Sequence, residues 1–220
     1  MWARVASQQV APRLAVISGA FVTKHTRRPS QRRLISGVVA AMSQSGEYSY
    51  KYPRPGLTVD ACIVSQQTPP KILLIKRQKA PCKDQWALPG GFVDENEPLE
   101  KAAARELQEE TSVNPKDVLL TQVGTFGDPG RDPRGWQVSV AYAALVPSTD
   151  MGVKAADDAT EAEWYDITKL PALAFDHKLI IRTAFEHLLQ HSQTKSTEGL
   201  AAALQKGAKN LQGPWTPPRE

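Results

Sequence analysis

Two cysteines in 220 residues, Cys62 and Cys82, are too few for a disulfide framework, and their spacing matches no metal-ligand motif. They read as reduced thiols of an intracellular protein, with no chemical role. A long apolar run is missing too. The most apolar stretch near the start, "RLAVISGAFV", falls far short of the roughly 20 residues that a membrane-spanning helix needs. Acids are absent from residues 1 to 46, which carry six arginines and one lysine before the first acid, Glu47. Setting those seven bases against the total of 27 leaves 20 bases facing 23 acids, so the rest of the chain is mildly acidic despite a formal charge of +4. A polyanion-binding surface is therefore not its leading feature, and neither nucleic acid nor membrane is expected as a partner.

The acid-free leader has the composition of an organellar transit peptide. "VVAA" at 38 to 41 resembles a plastid processing signal and "RRLIS" at 32 to 36 a mitochondrial one, and the plastid is favoured. An internal start at Met42 would yield a cytosolic form. After the leader, Leu57 to Val64 alternates as a strand, and "KILLIKR", 71 to 77, forms a second strand paired with it as a hairpin. "WAL" is a short apolar piece, "PGG" at 89 to 91 a turn, and Pro98 opens a helix as its first residue. Residues 118 to 126 and 136 to 146 read as strands, and "AADDATEAEWYDI" as a loop and a short strand. Residues 176 to 190 read as an amphipathic helix capped by Asp176, with His177 behind the cap given no catalytic part. The domain is expected to span 52–191 and to leave 192–220 as a polar tail, either mobile or a weakly docked helix, because it has little to bury. Strands, helix, strands, helix in this order indicate an α+β or α/β sandwich with helices on both faces of a mixed sheet.

What is present in excess is acid on one short helix. "GFVDENEPLEKAAARELQEETSV", 91 to 113, holds six glutamates and an aspartate against one lysine and one arginine. On a helical projection Glu110 lies about 40° to one side of Glu106 and Glu109 about 60° to the other, in the sector that Leu99, Ala102 and Ala103 make apolar. A solvated acidic face would not share its line with the stripe that must be buried. Neighbouring like charges cost a few tenths of a kcal/mol in the open. At about 5 Å and an effective dielectric near 20 each pair costs on the order of 3 kcal/mol. The group therefore calls for a cation, and oxygen donors without histidine or thiolate select Mg²⁺ or Mn²⁺ over zinc.

Gly91, Glu97, Arg105, Glu106, Leu107, Glu109, Glu110 and Val113 stand at the spacing of the Nudix box, and the chain resembles that family from about Tyr52 to His187. One position departs from the box: Ser112 stands where the family usually has glycine, at the turn that ends the helix. The resemblance implies an α/β/α sandwich and a hydrolase of a nucleoside diphosphate linked to another group. It implies that Glu106, Glu109, Glu110 and the Gly91 carbonyl hold the metal, and that Glu97 pairs with Arg105 to orient them. Glu109 is the first choice of base, with Glu161, Asp157 or Asp158 as loop alternatives.

The loop "VGTFGDPGRDPRG", 123 to 135, bears on the substrate. Its glycines permit close approach, and Arg131 or Arg134 would grip a phosphate or else lie solvated in a turn. Arg77 at the end of its strand is another phosphate candidate or a strand-end ion pair. Trp86 and Phe92 either stack on adenine or pack in the core. Pro129 lies 16 residues past Val113, and with "KYPRP" and "TFGDPGRDPR" it resembles ADP-ribose pyrophosphatases of the Nudix superfamily. The expected reaction is Mg²⁺-dependent cleavage of ADP-ribose to AMP and ribose 5-phosphate by water attack at phosphorus, by a chain that forms a homodimer. The alternatives are another substrate (FAD, NADH, a sugar nucleotide, an oxidised nucleotide) or a non-catalytic nucleotide-sensing module.

Overall fold

The computed structural model describes residues 48–156, 159–191 and 198–213. The chain divides into two units, Met1–Ser49 and Tyr50–Glu220, and the elements below all belong to the second. The basic leader, Asp157 and Asp158 lie outside the described residues.

Strand β1, Gly56–Ser65, is buried from Thr58 onward and forms the centre of the sheet. Its β-branched and small residues suit a strand covered on both sides. It runs parallel to β6, Gln137–Val146, over ten paired positions from Gly56↔Gln137 to Ser65↔Val146. On its other side it meets β2, Lys71–Arg77, antiparallel at Val64↔Ile72, the hairpin expected from the sequence. β3, Trp86–Ala87, and β7, Ala159–Asp166, both pair antiparallel with β2, while β5, Thr121–Phe126, pairs antiparallel with β6.

The two faces of β1 feed two cores. Val59, Ala61 and Ile63 pack with Ala102, Ala103 and Leu107 of α1, Leu99–Thr111. Cys62 and Val64 pack with Ile180, Ile181, Ala184, Phe185 and Leu188 of α2, His177–His191. The fold is thus the α+β sandwich that the element order implies, with helices on both faces of a mixed sheet.

Four features differ from the sequence reading. The "PGG" segment is not only a turn: β4, Gly90–Phe92, pairs antiparallel with β1 at Thr58↔Phe92, Val59↔Gly91 and Asp60↔Gly90. Glycine permits this, since a Cβ on Gly90 would stand 2.1 Å from the Val59 carbonyl oxygen. Pro98 is the extended residue just before α1 (φ −63°, ψ 136°) rather than its first helical residue. Val118 to Leu120 precede β5 rather than belonging to it, behind a 3₁₀ turn at Pro115–Asp117 whose Lys116 N–H donates to the Asn114 side chain.

The tail takes the helical alternative but is no weakly docked piece: α3, Glu198–Asn210, has Leu200, Leu204 and Ala208, with Leu211 just beyond, buried in the α2 core. Leucines at i and i+4, separated by three alanines and followed by polar residues, make a narrow apolar stripe. That stripe becomes visible as core only when α2 offers a face to receive it.

Candidate active site

Two glycines and one helix build the acidic wall. Strand β4 carries Gly90 and Gly91 past the α1 carboxylates, and a Cβ on Gly91 would lie 2.5 Å from Glu106 Oε1. No other residue allows that approach without displacing Glu106. The Gly90 N–H donates to Glu110 Oε2 at 2.8 Å. Glu110 is buried, and burial raises its carboxyl to about 8; the neighbouring Glu106 and Asp60 charges push the same way, against the hydrogen bond from Gly90. Burial also raises Glu106, opposed by Arg105. Glu109 is the outermost of the three, with 45% of its side chain exposed against 14% for Glu106.

Arg105 ties this wall together. Its Nε and Nη2 donate to the two oxygens of Glu97, both at 2.9 Å, and Nη1 donates to Glu106 at 2.9 Å and to Glu109 at 3.0 Å. Nη2 also reaches the Phe92 carbonyl at 3.0 Å, fixing β4 against α1. The Arg105 bonds, with the Asp94 N–H, hold the Glu97 carboxyl down at about 2. Among the described residues no three acid, histidine or cysteine side chains converge as a ready-made metal cage. Glu106 and Glu109 are turned to Arg105, and Glu110 to the Gly90 N–H.

Ser112 ends α1 in the left-handed conformation, φ 61° and ψ 7°, with its N–H donating to the Gln108 carbonyl. Glycine reaches that region without strain, which is why a helix end favours it. Serine occupies it here with its hydroxyl donating to the Lys154 carbonyl at 3.2 Å. The departure from the box therefore leaves the helix end intact.

Two arginines share the cleft with the acids. Arg77 and Arg134 line one cleft of about 410 Å³ together with Gly91, Phe92, Arg105, Glu106, Glu109 and Glu110. That size suits a small organic ligand. Arg77 comes from the end of β2, where its Nε donates to the Pro81 carbonyl at 3.0 Å. Arg134 comes from the β5–β6 loop, oriented by Asp132 through Nε at 3.0 Å and Nη2 at 2.6 Å.

Of the remaining predicted residues described, all but Phe92 lie elsewhere. Arg131 is buried and bound at both ends of its fork to Asp176, Nε–Oδ2 at 2.8 Å and Nη2–Oδ1 at 2.7 Å. It is a strut of the loop and does not face the cleft. Asp176 correspondingly spends its side chain on Arg131, while its carbonyl accepts from the Leu179 and Ile180 N–H groups of α2. Pro129 is exposed on the loop and lines a separate hollow with Trp136. Glu161 sits on β7, paired with Lys76 at 2.8 Å, and does not line the cleft. Trp86 packs edge-on against Tyr165 in the core, whereas Phe92 is 47% exposed at the cleft.

Sequence reasoning passed over a buried polar group beneath the cleft. Asp60 accepts from the Ser139 hydroxyl and faces His177 Nε2 at 3.5 Å. The Leu88 N–H donates to His177 Nδ1 at 2.9 Å, so the neutral ring carries its proton on Nε2, toward Asp60. Burial lowers the His177 pKa, in keeping with a neutral ring. A lone acid in the otherwise apolar "LTVDACIV" was the available signal.

A model of the NUDIX domain matches residues 54–187. The ADP-ribose pyrophosphatase of Methanocaldococcus jannaschii is 41% identical over 161 residues, 67% of this chain and 91% of that protein. The ADPR responsive transcriptional repressor of Acinetobacter baylyi is 39% identical over 142 residues, 62% of this chain but only 56% of the repressor. Among solved structures, the NUDIX domain of Shewanella oneidensis NrtR complexed with ADP ribose superposes with a TM-score of 0.57 at 34% identity, covering 70% of this chain and 99% of that one.

Proposed function

The chain belongs to the NUDIX family, and on that premise we propose that it is a divalent-metal-dependent hydrolase that cleaves the diphosphate of ADP-ribose to AMP and ribose 5-phosphate. One observation carries the reading: an acidic wall and a pair of arginines line the same cleft of about 410 Å³. A dianionic diphosphate fits between them only if a cation masks the acids.

The donor set fits Mg²⁺ or Mn²⁺. Glu106, Glu109, Glu110 and the Gly91 carbonyl are all oxygen ligands, and burial raises Glu106 and Glu110, the mark of carboxylates short of positive charge. The bound metal supplies neutralisation of the diphosphate and a more acidic water. The protein's own groups do the rest. Glu97 and the Phe92 carbonyl hold Arg105, which sets the rotamers of Glu106 and Glu109. Arg77 and Arg134 hold the phosphate oxygens. Glu109, the most exposed of the three acids, takes the proton of the attacking water as a new P–O bond forms and the bridging P–O bond breaks.

The sequence similarity to an ADP-ribose pyrophosphatase and the structural similarity to a domain complexed with ADP ribose support this substrate. A second reading, ADP-ribose sensing without turnover, draws on the repressor, of which this chain spans little more than half. The test is turnover of a panel of nucleoside diphosphate derivatives with Mg²⁺, with products identified. ADP-ribose is expected among the best substrates by kcat/KM, yielding AMP and ribose 5-phosphate. Tight binding without products would favour the sensor, and a clear preference for another derivative would overturn the substrate.

A further inference from the structure

The junction that leads into α2, Ala174 to His177, is unusual for a helix entry. Phe175 holds φ at 48°, a left-handed conformation that is strained for a bulky residue. Its neighbours hold it there. The Ala174 N–H donates to the Trp86 carbonyl at 2.8 Å, Asp176 is bound by the Arg131 fork, and His177 accepts from the Leu88 N–H. Strain maintained by three anchored neighbours fixes the direction of the Phe175 side chain, which also lies 5.6 Å from the His177 ring.

That side chain is a ring with two guanidinium groups within cation–π distance. Arg77 Cζ lies 4.7 Å from the Phe175 centroid and Arg134 Cζ 5.3 Å from it. These are the two arginines of the cationic wall, and their charges oppose each other: burial and then the Arg134 charge lower the Arg77 pKa. An aromatic face attracts a cation and offers it no hydrogen-bond acceptor that would compete with a phosphate. Resting on the reading that the cleft takes a diphosphate, we propose that Phe175 is a positioning residue: it sets the spacing of Arg77 and Arg134 and thereby determines how tightly the cleft grips the diphosphate. Phe175 acts through the arginines and makes no contact with the reacting atoms.

The probe is ADP, titrated calorimetrically into the full-length chain at saturating Mg²⁺, alongside steady-state kinetics with Mg²⁺ on the preferred substrate. Phe175→Leu is expected to weaken ADP about tenfold and to raise KM by a similar factor, with kcat changed by less than about twofold. Phe175→Tyr, which keeps the ring, restores both. In an Arg77→Gln/Arg134→Gln background, Phe175→Leu is expected to have no further effect on ADP, which a general packing defect would not reproduce. Phe175→Met fills the site without an aromatic face and serves as the second ring-less variant if the leucine variant unfolds. Wild-type affinity in the ring-less variant, a loss confined to kcat, or an equal loss in the arginine-free background each overturns the proposal. Should ADP-ribose prove a poor substrate while this ADP pattern holds, the substrate assignment fails and the role of Phe175 stands.

Discussion

The two walls of the cleft are made in opposite ways. The acids sit on one helix at i, i+3 and i+4, so the helical repeat alone brings Glu106, Glu109 and Glu110 together, and a glycine pair just upstream in sequence closes on them. The arginines arrive from the end of β2 and from the β5–β6 loop, and the ring between them arrives from the entrance to α2. Their convergence depends on β1 having β2 on one side and β6 on the other. An anionic site can thus be written into a short window, whereas its cationic counterpart exists only once the sheet has formed.

If that division is right, the walls should fail differently. Glu109→Gln removes the proposed base, and kcat should fall by roughly 10² to 10⁴ with KM little changed. Arg134→Gln should instead raise KM and spare most of kcat. Steady-state kinetics that gave both variants the same profile would erase the distinction. Next in size, Asp176→Ala leaves the Arg131 guanidinium buried without its partner, which should cost about 3–5 kcal/mol in urea unfolding. Arg131→Ala should lose a comparable amount, because its place is structural.

The acidic wall should also carry its own pH signature. Burial raises the Glu110 carboxyl from its ordinary 4.5 to about 8, so between those values the folded state holds a proton that the unfolded chain releases. Metal-free stability should therefore fall as pH rises from about 4.5 to about 8, by on the order of a few kcal/mol. Glu110→Gln should flatten the profile, and saturating Mg²⁺ should oppose the fall. A metal-free unfolding curve unchanged across that window would contradict the burial cause. Smallest of all, Ser112→Gly exchanges a strained φ and one hydrogen bond for conformational freedom, and thermal unfolding should place it within about 1 kcal/mol of the parent.

Much of the fold was legible because its signals are local. The β2 boundaries follow from an apolar run ended by a basic pair, and α1 from its stripe of Leu99, Ala102, Ala103 and Leu107. Pro98 and Val118 to Leu120 are boundary misses at an element's end, whereas the larger failures share one cause. Gly90 and Gly91 look like a turn until β1 offers them a partner, and Leu200 and Leu204 look sparse until α2 covers them. His177 looked like an ordinary residue behind a helix cap, yet its ring is committed to Leu88, 89 positions away.

By itself the sequence determined the acidic helix and the family to which it belongs, since helical period and fixed spacing need no tertiary partner. Only the tertiary structure decided between Arg131 and Arg134. Two arginines three residues apart in an irregular loop share no period that would assign them a side. Asp176, 45 residues away, claims Arg131 as a buried strut and leaves Arg134 to face the cleft.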